Sequence, residues 1–173
     1  VNSESKQKLN INNSDWKIVN NRLIRYLGSE SNVIIPDGVV AIGKEAFRDT
    51  KVMNAKFPST LKTIEARALA SNNIERAIIP DSVEQIRERA FADNHLNYLS
   101  ISTNTISFND DSDLKSFDLD FVTTICIRNY DGNAYQLLAK LCNNQSLSCL
   151  EKVVITGKKL SFVENLKIKK FLK

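Results

Sequence analysis

Between Val33 and Ile101 the chain writes one 22-residue unit three times. Pro36, Pro58 and Pro80 stand 22 residues apart, and the same step joins Val39, Leu61 and Val83. It also joins Ile42, Ile64 and Ile86, then Ala46, Ala68 and Ala90, then Phe47, Leu69 and Phe91, then Val52, Ile74 and Leu96. No insertion breaks the phase. A period in this range specifies a solenoid, in which each coil buries its apolar face only against its neighbours.

Each unit has a physical reading. Val33-Ile34-Ile35-Pro36, Ala55-Lys56-Phe57-Pro58 and Ala77-Ile78-Ile79-Pro80 are short strands ending at a proline, which has no N–H to give to a ladder. The apolar positions that follow, Val39 and Ile42 in the first unit and their equivalents, point into the coil. A fully buried Phe or Leu there contributes about 1.5–3 kcal/mol. Thr50, Asn72 and Asn94 recur at one offset. A short polar side chain at that place can satisfy turn backbone of its own or the next coil.

The run Ile35-Pro36-Asp37-Gly38-Val39-Val40-Ala41-Ile42-Gly43-Lys44-Glu45-Ala46-Phe47 resembles the BspA-like leucine-rich repeat, I-P-D-x-V-x-x-I-G-x-x-A-F. The third unit, Ile79-Pro80-Asp81-Ser82-Val83 through Ala90-Phe91, matches nearly as well. The second departs, with Ser59 after its proline and Leu69 for the phenylalanine. Only the first has glycine after its isoleucine; Glu65 and Arg87 stand there later. The resemblance implies a leucine-rich-repeat solenoid with short parallel strands stacked on a concave face. It speaks to fold more than to function, because a repeat scaffold hosts many partners.

Around the repeats the chain divides into 1–32, a tail and hairpin cap; 33–101, the repeats and the start of a fourth strand; and 102–173, a degenerate repeat and capping segment. Trp16, Ile18, Leu23, Ile24 and Tyr26 surround the turn-forming pair Asn20-Asn21, which reads as a hairpin. In the BspA-like family a hairpin of the form D-W-x-I…L-x-x-Y-x-G caps the first repeat, and Gly28 fits that form. Residues 1–13 are polar and begin without Met, as in a mature or trimmed chain.

After Ile101 the repeat decays: Ser102 replaces the proline, and Thr105 and Phe108 hold the next apolar columns poorly. The acidic run 109–113 reads as a solvated loop, since it lacks the glycine and distal glutamate of an EF-hand. Val122 to Ile127 restores the spacing of Leu96 to Ile101 and reads as one more strand. Residues 134–142 read as a helix, 151–156 as a strand and 161–172 as a last helix opened by the Ser161/Glu164 capping box. Together these form an α/β cap with a terminal helix, which keeps the solenoid end from being a bare edge. The net charge of +4 is carried entirely by residues 151–173, where seven lysines face two glutamates. Without arginine, a groove-reading motif or stacking aromatics, that run reads as a solvated face rather than a nucleic-acid site.

Little here suggests chemistry. His95 is the single histidine and falls in a turn. No nucleophile elbow, P-loop or dinucleotide fingerprint is present. Three cysteines do not make a zinc set. Cys142 and Cys149 can pair, leaving Cys126 in a strand, but an odd count is no disulfide framework. No run approaches the ~18 apolar residues of a membrane span. The expectation is no enzyme, no cofactor and no metal.

What remains is a surface. Side chains alternate along a strand, so Asn54 and Lys56 face outward with Asn32 and Ile34, Arg76 and Ile78, Tyr98 and Ser100. An ordinary mixed-polarity sheet face is one reading. The other is a ligand face of Asn54, Lys56, Arg76, Ile78, Tyr98 and Ser100, with Arg76 beside Tyr98 as the sort of pair enriched at interface hot spots. The resemblance implies a bacterial cell-surface or secreted adhesin-like module that binds a host or matrix protein. An intracellular or host-delivered interaction protein is the alternative, and an enzyme in the C-terminal segment a third. Oligomeric state is open.

Overall fold

The computed structural model describes residues 9–102, 116–130, 138–139, 141, 147–157, 159, 168–169 and 172. Its elements are β1 (Ile11–Asn12), β2 (Trp16–Val19), β3 (Arg22–Tyr26), β4 (Asn32–Ile34), β5 (Ala41–Ile42), β6 (Asn54–Lys56), β7 (Thr63–Ile64), β8 (Arg76–Ile78), β9 (Gln85–Ile86), β10 (Tyr98–Ser102), β11 (Thr124–Tyr130) and β12 (Lys152–Gly157). The repeat strands β4, β6, β8 and β10 each begin one residue before the sequence suggests. In the first three the proline lies outside the strand, where its missing N–H leaves no bond unmade.

Two sides of the first three coils carry strands. On one side β4 pairs with β6, and β8, β10, β11 and β12 form a parallel sheet. On the other, β5, β7 and β9 stack in parallel, a second ladder that two-residue strands do not announce in the sequence. The inward columns are buried as the repeat requires: Val39, Leu61 and Val83, then Ile42, Ile64 and Ile86, then Phe47, Leu69 and Phe91 are at most 1% exposed.

The coil lengthens toward the C-terminus. Tyr98 pairs with Arg76 at the 22-residue step, but Thr124 pairs with Tyr98 and Lys152 with Thr124, at steps of 26 and 28. The column of Phe91 therefore continues at Phe117, which bridges it in parallel and stacks on it with ring centroids 5.0 Å apart. Ser116 takes the place of Ala90, buried, its hydroxyl bonded to the Ile86 and Arg87 carbonyls. The strands expected at 122–127 and 151–156 are thus successive members of one sheet. Thr105, Phe108 and the acidic run 109–113 lie outside the described residues. Of the two expected helices Leu138, Ala139, Leu141, Ile168 and Lys169 are described as helical and Leu172 as non-helical; the rest lies outside the described residues.

The asparagine column ties coils together. Asn72 Nδ2 donates to the carbonyls of Phe47, Leu69 and Ala70, and its Oδ1 accepts from the Val52 N–H. Asn94 repeats this one coil on, with Leu69, Phe91, Ala92 and Ile74. Each side chain serves its own coil and the preceding one, not the next. The turns they support are tight: Glu45, Arg67 and Arg89 have φ of 57, 54 and 55°, and Asp49, Ser71 and Asp93 have 58, 57 and 56°. Left-handed non-glycine backbone costs on the order of 1 kcal/mol per residue, which the buried amide bonds offset.

The N-terminal cap is a hairpin, as its sequence suggests. Asn20 and Asn21 both have positive φ (51 and 65°), as a two-residue turn between twisted strands requires. Trp16, Tyr26 and Phe47 form an aromatic cluster with centroids 4.9 to 6.1 Å apart. Gly28 permits this, because a Cβ there would lie 2.5 Å from the Tyr26 hydroxyl. β3 then pairs in parallel with β5 and so acts as the first rung of the second ladder. The segment before the hairpin is not merely a polar tail, since β1 adds a third, antiparallel strand and Leu9 and Ile11 pack on the core.

Candidate functional site

Register places the outward residues of the repeat strands in two rows. Asn32 is opposite Asn54, and Arg76 opposite Tyr98; Ile34 is opposite Lys56, and Ile78 opposite Ser100. Paired strands lie about 4.8 Å apart, so each row is close-set within β4–β6 and within β8–β10. Asn54 Nδ2 donates to Asn32 Oδ1 at 2.6 Å. The Arg76 guanidinium carbon sits 3.9 Å from the centroid of the Tyr98 ring, a cation–π contact that holds both side chains in place. Ile34 and Ile78 are 71% and 53% exposed.

Five of the six expected face residues lie open or half-open on this surface. Ser100 does not. It faces the same way but is 3% exposed, because Arg128 of β11 lies across it. Arg128 Nη1 donates to Ser100 Oγ at 2.6 Å, Nη2 bonds the Ile79 carbonyl, and Nη2 and Nε reach Asp81 Oδ1 at 2.9 and 3.1 Å. Asn129 Nδ2 donates to the other oxygen of Asp81 at 2.7 Å. The face thus ends at Arg128, a boundary that sequence reasoning missed. Register alone shows it only once the 26-residue coil is known.

The two rows from Asn32 to Ser100 contain no acid, and neither Lys56 nor Arg76 has an ion-pair partner among the described residues. Beside Lys56 an open hollow of about 460 Å³ is lined by Lys56, Phe57, Ile78, Ile79, Pro80, Asp81 and Arg128. It lies where the ladder is interrupted, since β6 pairs with β4 and β8 with β10 but not with each other.

On the opposite side one carboxylate is firmly paired. A second hollow of about 620 Å³ is lined by Lys44, Thr63, Glu65, Ala66, Gln85, Arg87 and Glu88. Its central carboxylate, Glu65, is held by Arg22 and by the Lys44 N–H. The side-chain bonds from Arg22 pull the Glu65 pKa below the ordinary carboxylate value, against the opposing effect of burial. His95 is exposed beside Phe121, with ring centroids 6.3 Å apart. Among the described residues no cluster of His, Cys, Asp and Glu has metal-binding geometry. Cys126 is half-buried in β11 and Cys149 exposed, while Cys142, and with it any 142–149 pairing, lies outside the described residues.

Against known protein families, residues 17–136 match the BspA type leucine rich repeat region in six copies. The chain belongs to the BspA-type leucine-rich repeat family. The match begins in the hairpin and runs past β11, so it covers more than the three regular repeats. No curated protein and no solved structure matches the chain. BspA-type repeats are protein-interaction scaffolds typical of bacterial surface proteins. No helix among the described residues is long and apolar enough to cross a membrane.

Proposed function

We propose that this BspA-type solenoid is a non-enzymatic binding module, acting at a bacterial surface or after secretion, whose ligand is a host or matrix protein. The ligand face is the outer side of β4, β6, β8 and β10, centred on Arg76, Ile78 and Tyr98 and flanked by Asn54 and Lys56. One observation carries this reading: Arg76 is laid over Tyr98 next to Ile78, with no acid in either row to neutralise the cation. A stacked arginine–tyrosine pair offers a wide apolar plane with donors at its rim, already ordered before a partner arrives. Ile34 and Ile78 present apolar area that gains free energy only when covered.

The test is capture by the immobilised domain from host extracellular proteins and from cell lysate, beside an Ile78→Glu variant of matched melting temperature. Selective retention of an extracellular protein by the wild type and its loss by the variant support the reading. Equal retention by both places the contact elsewhere. Retention only of intracellular proteins favours the host-delivered alternative.

A further inference from the structure

The second repeat breaks the pattern at the one place where the strand ladder also breaks. Ile35 and Ile79 are buried, whereas their equivalent Phe57 is only half-buried, its ring edge-on to Phe91 at 6.3 Å. Ala55, in the column of Val33 and Ala77, is likewise half-buried. A phenylalanine in an isoleucine column cannot seat as deeply, and β6 and β8 do not pair. The hollow between them has apolar walls of Phe57, Ile78 and Pro80. Lys56 stands at its rim, exposed and without an ion-pair partner among the described residues. Arg128 and Asp81 also line it, but they neutralise each other at 2.9 Å, so the uncompensated charge is that of Lys56. A departure from local regularity that opens a half-apolar, singly positive hollow on an exposed face is a signature of a site rather than of the scaffold.

We infer that this hollow is a subsite for an extended segment of a partner protein in which an aspartate or glutamate adjoins a bulky apolar side chain. The carboxylate meets Lys56, and the apolar group lies on Phe57, Ile78 and Pro80. This rests on the ligand face proposed above and adds the chemistry it selects. Charge complementarity decides the occupant, because the adjoining rows supply a second cation, Arg76, and no acid.

The test is selection of random seven-residue peptides displayed on phage against the folded domain, against Lys56→Glu and against Phe57→Ile, each shown to melt like the wild type. Peptides selected by the wild type are expected to be enriched in an acidic residue next to an aromatic or aliphatic one. Their affinity is expected to fall at least tenfold in Lys56→Glu, and Lys56→Glu is expected to select basic peptides instead. Phe57→Ile, which restores the regular column, is expected to weaken the same peptides. Absence of selected peptides, no acidic enrichment, or equal affinity for Lys56→Glu overturns the subsite. The face reading is separable. If a captured protein partner is lost by Arg76→Ala with Tyr98→Ala but not by Lys56→Glu, the subsite fails and the face stands. If peptides bind through Lys56 while that double variant keeps the partner, the face fails and the subsite stands.

Discussion

The Arg22 guanidinium of the hairpin grips both oxygens of Glu65, 43 residues away, with Nε at 2.7 Å from Oε1 and Nη2 at 2.6 Å from Oε2. It spans the first coil and fastens the cap to the second. Glu65 also accepts the Lys44 N–H at 2.9 Å, so one carboxylate holds three coil segments. Glu65→Ala is expected to lower stability by about 1 kcal/mol, the upper end for a partly exposed pair with good geometry. Because the folded pKa of Glu65 lies below its unfolded value, its contribution is fully present above the unfolded value of about 4.3. It is lost as pH falls through the lowered folded pKa. Thermal melts at pH 7 and pH 3 check this: the difference between wild type and Glu65→Ala is expected to shrink at the lower pH.

The close approach of the hairpin to the first coil also leaves little room for a side chain at Gly43. A Cβ on Gly43 would lie 2.7 Å from the Leu23 carbonyl oxygen and 3.2 Å from the Arg22 guanidinium. Gly43→Ala is expected to cost about 1–3 kcal/mol, as overpacking does. A denaturant titration that found it neutral would mean the hairpin sits further from the first coil.

Asn72 is buried with its amide fully used, and Asn72→Ala strands the Val52 N–H, while the carbonyls of Phe47, Leu69 and Ala70 keep their bonds from Thr50, Asn94 and Asp49. A loss of about 1–3 kcal/mol is expected, the cost of one orphaned buried donor. Thr50→Ala, at the exposed-side start of the same column, is expected to lose far less. Urea midpoints of the two variants make the comparison.

The aromatic columns give a sharper contrast. Phe47 and Phe91 are fully buried, and either change to alanine is expected to cost about 3–5 kcal/mol. Arg48 makes only half-exposed ion pairs with Glu45 and Asp49, and Arg48→Ala is expected to move stability by less than about 0.5 kcal/mol. Equal melting temperatures would contradict the inward orientation of the column.

The solenoid was legible because its signal is periodic: one step of 22 predicts the register of β4 with β6 and of β8 with β10, as well as the buried columns. The hairpin was legible from Asn20-Asn21 and the phase of Trp16, Ile18 and Tyr26. The spacing of Val122 to Ile127 even carries the 26-residue step. What resisted reading is non-periodic. Counting 22 residues past Phe91 misses Phe117, although the small-then-aromatic pair Ser116-Phe117 echoes Ala46-Phe47 and Ala90-Phe91. Strands β5, β7 and β9 are too short to show alternation. The burial of Ser100 depends on Arg128, whose place above it follows only from the lengthened coil. At the face, the alternation of strand side chains found the Arg76–Tyr98 stack. The hollow beside Phe57 was not found, because a missing ladder leaves no mark in the sequence beyond an out-of-type residue.

The most direct measurement is the affinity of the double variant Arg76→Ala with Tyr98→Ala for a captured protein partner, taken by calorimetry beside a thermal melt. Truncating hot-spot anchors typically costs about 2 kcal/mol or more, against little for rim residues. Binding is expected to weaken at least tenfold while the melting temperature stays within a few degrees of wild type. Unchanged affinity in a folded double variant would contradict the account and move the contact to the turns or the lysine-rich C-terminal segment.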